Sequence, residues 1–376
     1  MKTIVISAVN LVEAGTLAIL KDCLQYLSGF VSENPEYRVV AIVYKKELAH
    51  YPNIEYIETQ WPKKRWINRL WYEYVSMGKI AKEIAPVYLW FSLHDTTPTV
   101  AAERRAVYCH NSYSFYKWKI MDFFFTPKIA LFSLFTKYIY KPNIQRNNYL
   151  VVQQYWFREA MSKMFAVRKD NIIVAPPQSR LPEASPLTSI AQAQASFIFA
   201  GSPNSHKNFE VIAKAVKILE LDWGLTDFSV YLTVKGDENN YAKWLYKNWG
   251  EPLKNLHFIG FLSKEKLFHY YEKSSCLIFP SKIETWGLPI SEYANYNKPM
   301  LLADLPYAHE TAEGASKVAF FDVDNPMELA QLMQQVINQD LQAFCAVEKS
   351  VKQEPYAKNW AEVFSFLLKD NKNLNT

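Results

Sequence analysis

The sequence predicts an α/β protein built from two Rossmann-like halves. Short apolar runs alternate with helical stretches along the chain, which is typical of parallel sheets with crossover helices. The chain has 376 residues, of which 49% are hydrophobic, so it is too long for one ordinary core and apolar enough to fill two. A polar, proline-containing stretch at 178–195 separates two such series and is the best candidate for a linker.

Each half contains a series of apolar runs that predict strands. In the first half they lie at residues 3–8, 38–44, 87–93, 106–109, 149–152 and 172–175. In the second half they lie at 196–200, 228–235, 257–259, 276–279, 299–303 and 317–321. Trp360, Val363, Phe364 and Leu367 follow at helical spacing. We therefore predict an N-terminal domain at 1–178, a C-terminal domain at 179–358, and a helix within 359–376 that packs back onto the first domain.

The charge is distributed unevenly between the halves. Residues 1–180 carry 24 Lys and Arg against 14 Asp and Glu, a net +10, while the remaining residues carry 18 against 23, a net −5. This asymmetry indicates that the first half meets an anionic surface or ligand. No segment is apolar enough to span a bilayer and no secretory signal is visible, so we expect a cytoplasmic protein. The four cysteines lie far apart without CxxC spacing, and no metal site is expected.

The sharpest local pattern follows the predicted strand at 276–279. Glu284 and Glu292 stand eight residues apart, and Gly287, Leu288 and Pro289 lie between them. Proline suits the first turn of a helix, which places Glu284 in the preceding loop and Glu292 near the first turn. Free backbone N–H groups around 287–290 would bind an anion or sugar hydroxyls. A glycosidase acid and nucleophile is the alternative, but the spacing favours two separate binding tasks.

This pattern, P-S-x-x-E-x-x-G-L-P-x-x-E at 280–292, resembles the E-x7-E signature of retaining glycosyltransferases of family 4. The resemblance implies a GT-B fold, in which two Rossmann-like domains face a central cleft. It also implies that Glu292 holds the ribose of a nucleotide and that Glu284 lies beside the transferred sugar. The donor would be a nucleotide-diphosphate sugar, used as substrate, with no further cofactor and no metal.

A second pattern is the strand at 196–200 followed by Gly201 and, six residues later, Lys207. A lysine at the start of the next helix can neutralise a diphosphate leaving group. The family usually has an arginine directly after the glycine, and here that position is Ser202. Lys235 is a candidate for the missing charge. The expected donor site thus comprises Gly201, Ser202, Lys207, Gly287, Leu288, Pro289 and Glu292.

Candidates on the first half follow the ends of predicted strands. His110 comes after the strand at 106–109, where parallel sheets bind ligands, and the family places a histidine near the donor sugar. His94, with Asp95 next to it at the end of the preceding strand, is a weaker second candidate. Gly15 and Thr16 loosely match a glycine-containing loop on the acceptor side of the family's cleft. The expected catalytic residues are His110, Glu284 and Lys207, with Gly15, Thr16 and His94 on the acceptor side.

Residues 113–146 interleave aromatic residues with lysines. Such a segment can dock on an anionic bilayer, or it can form a helix pair that covers the sheet while its lysines reach water. Nucleic acid would suit the same charges, but no nucleic-acid motif accompanies them. We expect a glycosyltransferase that acts on a glycan or lipid-linked acceptor in polysaccharide or lipopolysaccharide synthesis, with peripheral contact to the inner membrane face. A non-catalytic nucleotide-sugar-binding subunit and a sugar-nucleotide epimerase remain as alternatives.

Overall fold

The computed structural model describes residues 1–178 and 194–369, so the predicted linker lies almost wholly outside the described residues. The chain forms two compact units. The first unit contains Met1–Ser114, Phe135–Gln178 and the C-terminal segment that begins at Lys352. The second unit contains Phe115–Leu134 and, among the described residues, 194–351. Residues 115–134 therefore group with the second unit, although the chain on both sides of them belongs to the first.

The first unit is built on a seven-stranded sheet in which every pair of neighbouring strands is parallel, in the order β3-β2-β1-β4-β5-β6-β7. Its strands are β1 (Lys2–Ser7), β2 (Tyr37–Val43), β3 (Ile54–Glu58), β4 (Val87–Ser92), β5 (Arg104–Tyr108), β6 (Tyr149–Val152) and β7 (Ile172–Val174). Its helices include α1 (Ala14–Glu33), α2 (Trp61–Lys64), α3 (Trp66–Trp71), α4 (Met77–Glu83) and α7 (Tyr155–Phe165), and a π-helical turn covers Tyr72–Ser76. The edge strand β3 was not predicted.

Both faces of this sheet are buried, as is usual for parallel sheets. Along β1, Ile4 and Ile6 pack into one core and Val5 packs into the core on the other face. The C-terminal helix α14 (Trp360–Leu368) packs Phe364 into the first of these cores. Arg104 Nε donates to the carbonyl of Leu367 at 2.6 Å, which supplies a partner for a carbonyl at the helix end.

The second unit has a six-stranded parallel sheet in the order β10-β9-β8-β11-β12-β13. Its strands are β8 (Ala195–Phe199), β9 (Phe228–Leu232), β10 (Leu256–Phe258), β11 (Cys276–Phe279), β12 (Met300–Ala303) and β13 (Val318–Phe321). Its helices include α8 (Phe209–Lys217), α9 (Asn240–Leu245), α10 (Lys264–Lys273), α11 (Leu288–Ala294), α12 (Pro306–Thr311) and α13 (Pro326–Ile337), with π-helical turns at Ile218–Asp222 and Tyr246–Gly250. The two Rossmann-like sheets confirm the predicted fold class.

Two further helices connect the units along the chain. Helix α5 (Ile120–Phe125) lies in the second unit, and α6 (Pro127–Ile144) begins there and ends in the first. The Phe125 ring lies 5.4 Å from the Tyr241 ring and 5.0 Å from the Trp244 ring, and Lys119 forms an ion pair with Asp324. These contacts attach residues 115–134 to the second unit. Within the described ranges, no helix is both long and apolar enough to cross a bilayer.

Candidate functional site

The topology of the second sheet brings two distant loops together. Strands β8 and β11 are neighbours at the point where the strand order reverses, and open α/β sheets bind ligands at the carboxyl ends of strands at such points. The loop after β8 carries Gly201 and Lys207, and the loop after β11 carries Glu284 and Gly287. The two strongest sequence patterns therefore converge on one edge of one sheet.

Lys207 and Glu284 form an ion pair across these loops. Lys207 Nζ lies 2.5 Å from Glu284 Oε1, and each side chain is 16% exposed. The ammonium group also lies 5.8 Å from the centre of the Phe279 ring, at the end of β11. Partial burial strengthens this pair relative to a surface ion pair. The lysine and the carboxylate predicted to act on one donor are thus adjacent.

A second ion pair joins the loop after β11 to helix α8. Lys282 Nζ lies 2.8 Å from Glu210 Oε1 on α8, and the Tyr241 hydroxyl donates to the same carboxylate. The Lys282 amide donates to the carbonyl of His206 at 2.8 Å, which joins the two loops through the backbone. Burial lowers the pKa of His206 well below its ordinary value, and the Lys207 and Lys282 ammonium groups act in the same direction.

Asn208 fixes the turn between Lys207 and helix α8. Its φ of 59° is left-handed, a conformation that asparagine tolerates better than most residues. Its side-chain amide donates to the carbonyls of Pro280 at 3.2 Å and Val323 at 2.8 Å. The residue thereby connects the β8 loop to the chain after β11 and after β13. Neither Asn208 nor Lys282 was singled out from the sequence, because their partners lie more than 70 positions away.

Gly201 and Ser202 lie on the same loop as Lys207. The Gly201 amide donates to Thr233 Oγ1 at 3.0 Å, and a Cβ at Gly201 would lie 3.1 Å from the Phe199 ring, so the tight turn favours glycine. Ser202 is exposed, and its hydroxyl accepts from Asn204. The Lys235 side chain is 70% exposed and pairs with Asp237 at 2.8 Å.

Gly287 caps helix α11, and Leu288 and Pro289 form its first turn as predicted. The Gly287 φ of +91° is left-handed, and a Cβ there would lie 3.2 Å from Ile290 Cδ1. Glu284 lies in the preceding loop, as expected. Glu292 is the fifth helical residue, directly after the first turn, near which it was predicted.

Glu292 is half-buried, and burial raises the pKa of its carboxyl group, with Lys264 partly offsetting the effect. A carboxylate that has lost water on burial is stabilised when a ligand donates hydrogen bonds to it.

In the first unit, His110 follows β5 at the carboxyl edge of the sheet. Its side chain is 15% exposed, and its Nε2 lies 3.4 Å from Asp95 Oδ2. Asp95 follows the neighbouring strand β4, and its Oδ1 accepts from the amides of His110 at 2.7 Å and Asn111 at 2.9 Å. Asp95 was named only beside His94 as a weaker candidate, and its link to His110 was not predicted, since nothing local in the sequence connects it with a histidine 15 positions later.

His94 is buried beneath this edge, with 1% of its surface exposed. Its Nδ1 lies 2.9 Å from Thr96 Oγ1 and 3.3 Å from Glu73 Oε1, and Arg69 donates both to Glu73 and to the His94 carbonyl. Burial lowers the pKa of His94, against the opposing effect of Glu73. The structure therefore gives His94 internal partners, and its contact with an acceptor stays a prediction.

Gly15 and Thr16 lie in the first turn of α1, directly after the loop that follows β1. The Thr16 hydroxyl donates to the Glu13 carbonyl at 2.8 Å. Both residues are half-buried, and their role toward an acceptor also stays a prediction.

Comparisons with known proteins bear on the fold and on the family of the second half. Residues 184–360 match the protein family described as glycosyl transferases group 1. The O-antigen chain mannosyltransferase RfbU of Salmonella typhimurium strain LT2 is 23% identical over 189 residues, which are 50% of this chain. The match spans 51% of that relative, so the chain covers about half its length.

Solved structures resemble the chain over nearly its whole length. Sucrose-phosphate synthase from Thermosynechococcus elongatus superposes with a TM-score of 0.66 at 12% identity, covering 91% of each chain. Anabaena HepE in complex with UDP-glucose gives a TM-score of 0.64 at 13% identity, covering 91% of this chain and 92% of the other. The lipopolysaccharide outer core galactosyltransferase WaaB gives 0.61 at 10%, covering 98% and 95%. The chain therefore has the GT-B fold, and its second half matches the group 1 glycosyl transferases.

Proposed function

We propose that the protein is a glycosyltransferase that moves a sugar from a nucleotide-diphosphate donor to a glycan or lipid-linked acceptor during synthesis of a surface polysaccharide or lipopolysaccharide. The observation that carries the proposal is the Lys207–Glu284 pair at the reversal point of the second sheet, inside the region that matches the group 1 family. The mannosyltransferase, the galactosyltransferase and the UDP-glucose complex among the similar proteins support this reaction class.

The proposed reaction breaks the bond between the anomeric carbon of the sugar and an oxygen of the diphosphate. The electron pair leaves with the diphosphate, so negative charge grows there while positive charge grows on the sugar ring. Lys207 would stabilise the first charge and Glu284 the second, each more strongly in the transition state than in the bound donor. The pair seen here would separate as the diphosphate replaces Glu284 as the partner of Lys207.

We further propose that the reaction retains the anomeric configuration, as the E-x7-E resemblance implies. The acceptor hydroxyl would attack the face that the diphosphate leaves, and a phosphate oxygen would take the acceptor's proton. Lys207 supplies positive charge where a metal ion would otherwise be needed, so we expect no metal requirement.

The test begins with a thermal-shift screen of nucleotide sugars, because a bound ligand raises the melting temperature by mass action. The donor that binds is then incubated with candidate oligosaccharide acceptors, and NMR reports the anomeric configuration of the product. The proposal expects nucleotide diphosphate to be released together with a glycoside of unchanged configuration. Inverted product would refute retention. Binding without release would indicate a non-catalytic subunit, and an isomerised nucleotide sugar would indicate an epimerase.

A second feature supports peripheral membrane contact by the first unit. Residues 61–75, here named the tryptophan segment, expose Trp61 (44%), Trp66 (46%), Ile67 (72%) and Trp71 (59%). Soluble proteins seldom expose such a cluster unless it binds a partner, and tryptophan favours the boundary between lipid and water. Lys63, Lys64 and Arg65 lie within the segment and are exposed. Apolar rings beside basic groups fit an anionic bilayer surface.

Helix α6 adds exposed apolar side chains from the stretch that the sequence analysis singled out. In the part of α6 that belongs to the first unit, Phe135 is 53% and Tyr138 is 68% exposed, three positions apart. In the first unit, the Tyr74 hydroxyl donates to the Ile139 carbonyl at 2.7 Å, so the end of α6 lies beside the tryptophan segment. Helix α6 also buries Thr136 and Tyr140, so the alternative of a helix that covers the sheet stays open and is decided by the vesicle experiment.

Flotation with vesicles tests this contact. Wild-type protein is expected to bind anionic vesicles more strongly than neutral ones. The double variant Trp66→Ala/Trp71→Ala should lose binding at high salt, where the apolar contribution remains. Changing Lys63, Lys64 and Arg65 to Glu should lower binding to anionic vesicles at low salt by at least about 100-fold. Phe261→Ala is a matched control, since Phe261 is 93% exposed in the other unit. Equal behaviour of wild type and both variants would exclude the tryptophan segment as a membrane contact.

A further inference from the structure

The conformation of Asp95 is unusual for a residue with a side chain. Its φ of +68° lies in the left-handed region, which costs free energy for most residues other than glycine. Its own amide donates to the Tyr108 carbonyl at 3.1 Å, and its Oδ1 accepts from two successive amides after β5. Asp95 is 5% exposed. These contacts hold the carboxylate in one orientation, between the ends of β4 and β5.

That orientation determines which nitrogen of His110 carries the proton. The second carboxylate oxygen, Oδ2, lies 3.4 Å from His110 Nε2. A negative charge at this distance stabilises a proton on Nε2 relative to one on Nδ1. In the neutral imidazole, the proton on Nε2 leaves Nδ1 as a hydrogen-bond acceptor.

The Nδ1 atom of His110 is buried and has no hydrogen-bond partner among residues 1–178 and 194–369. Buried polar atoms in folded proteins are nearly always paired, and the exceptions call for an explanation. His94 shows the contrast, because its Nδ1 has the Thr96 hydroxyl at 2.9 Å. An acceptor atom that stays unpaired at the ligand-binding edge of a parallel sheet is expected to meet a donor on the ligand.

We propose that Asp95 is a positioning residue that holds His110 as the Nε2–H tautomer, so that Nδ1 accepts a hydrogen bond from a hydroxyl group of a sugar. This inference rests on the proposed glycosyltransferase function, because that function supplies the sugar. The hydroxyl belongs either to the donor sugar or to the acceptor. Asp95 acts through His110 and does not itself touch the ligand.

The tautomer can be measured without any substrate. Protein labelled with 15N-histidine gives long-range 1H–15N spectra that distinguish a protonated from an unprotonated ring nitrogen, and His110→Gln assigns the signal. Wild type is expected to show a protonated Nε2 and an unprotonated Nδ1. Asp95→Asn keeps an oxygen for the two backbone amides and suits the left-handed conformation, but removes the charge beside Nε2. This variant should shift the population toward the Nδ1–H form, whereas a proton on Nδ1 in the wild type, or no change in the variant, would overturn the proposal.

Kinetics then show whether the tautomer matters. Hydrolysis of UDP-glucose and of GDP-mannose without acceptor reports on the donor, and transfer to an oligosaccharide reports on the acceptor. Asp95→Asn should lower kcat/KM about tenfold in the arm that contains the hydroxyl, as expected for one lost hydrogen bond. In a His110→Ala background, Asp95→Asn should lower kcat/KM no further, because the two residues act as one unit. A tenfold loss in that background would assign Asp95 a structural role instead.

The two measurements separate this inference from the proposed function. If neither donor nor any other nucleotide sugar is turned over by the wild type, the glycosyltransferase proposal fails while the NMR result still reports the tautomer. If the wild type is active and the tautomer is Nδ1–H, only the inference fails.

Discussion

Replacing Gly287 with alanine perturbs the turn that begins helix α11, and the geometry of that turn gives the size of the expected loss of stability. A left-handed φ of +91° costs a residue with a Cβ about 1–2 kcal/mol. The new Cβ would also lie 3.2 Å from Ile290 Cδ1 and 3.4 Å from the Phe279 ring. Because the isoleucine methyl can move, we set the total loss at about 1–3 kcal/mol. For a unit of this size that lowers the melting temperature by roughly 3–10 °C.

Gly224→Ala is the matched control. Gly224 also has a left-handed φ, +70°, but its Cβ would have no neighbour within 4 Å. It lies just before β9, at the opposite end of the strands from the proposed donor site. The control should lose about 1–2 kcal/mol from backbone strain alone.

Melting curves with and without a saturating nucleotide measure both the loss of stability and the stabilisation by the nucleotide in one assay. Gly287→Ala should be destabilised at least as much as Gly224→Ala, and only Gly287→Ala should lose the nucleotide-dependent stabilisation, since its Cβ blocks approach to the amides at the helix start. Wild-type stability for Gly287→Ala would refute the strain argument. Equal nucleotide binding by both variants would refute the assignment of Gly287 to the donor site.

Two further predictions concern the charged residues of the second unit. Lys207→Ala should lower kcat by about 10²–10³ with a smaller change in the donor KM. Lys247→Ala, at an exposed position of the same unit, should leave kcat unchanged. A change in KM alone would make Lys207 a residue that binds the donor and the transition state equally. Burial raises the pKa of Glu292, so the folded state bears a penalty for the charged carboxylate at every pH above that raised pKa. Glu292→Gln should therefore melt higher than wild type at pH 7 without nucleotide, and the gain should shrink as the pH falls through the raised pKa toward the ordinary value of 4.5. A gain that grows on acidification would contradict the burial argument.

Much of the fold could be predicted because buried parallel strands appear as apolar runs. All twelve predicted runs overlap β-strands whose ends differ by a few residues at most, and the runs at 149–152 and 276–279 agree at both ends. The missed strand β3 (Ile54–Glu58) is an edge strand in which glutamates interrupt the apolar pattern. Local periodicity identifies a strand that is buried on both faces better than one at an edge.

The site was predictable only where its signal is local. The turn at Gly287 and the helix start at Leu288 follow from residue types in one short stretch. The pairing of Lys207 with Glu284 depends on β8 and β11 being neighbours, which no local pattern specifies. The same holds for Asp95, whose link to His110 depends on β4 lying beside β5.

The exposure of the tryptophan segment and the attachment of residues 115–134 to the second unit were not predicted, for a related reason. Apolar spacing shows that a helix has an apolar face but not whether another element covers it. Residues 66–71 form a helix whose tryptophans stay exposed, while the Phe125 ring packs against Tyr241 and Trp244. Only the tertiary structure distinguishes these two outcomes.

Calorimetric titration of nucleoside diphosphates into wild type and Glu292→Ala tests the central claim most directly, namely that the carboxyl edge of the second sheet binds the nucleotide of a sugar donor. At least one nucleoside diphosphate should bind the wild type, and Glu292→Ala should weaken its binding by about tenfold or more, as expected for a charged hydrogen bond. Glu251→Ala, an exposed carboxylate of the same unit, should bind like wild type. If no nucleoside diphosphate binds, or if Glu292→Ala binds as tightly as the control, the second sheet does not hold the donor in the way described.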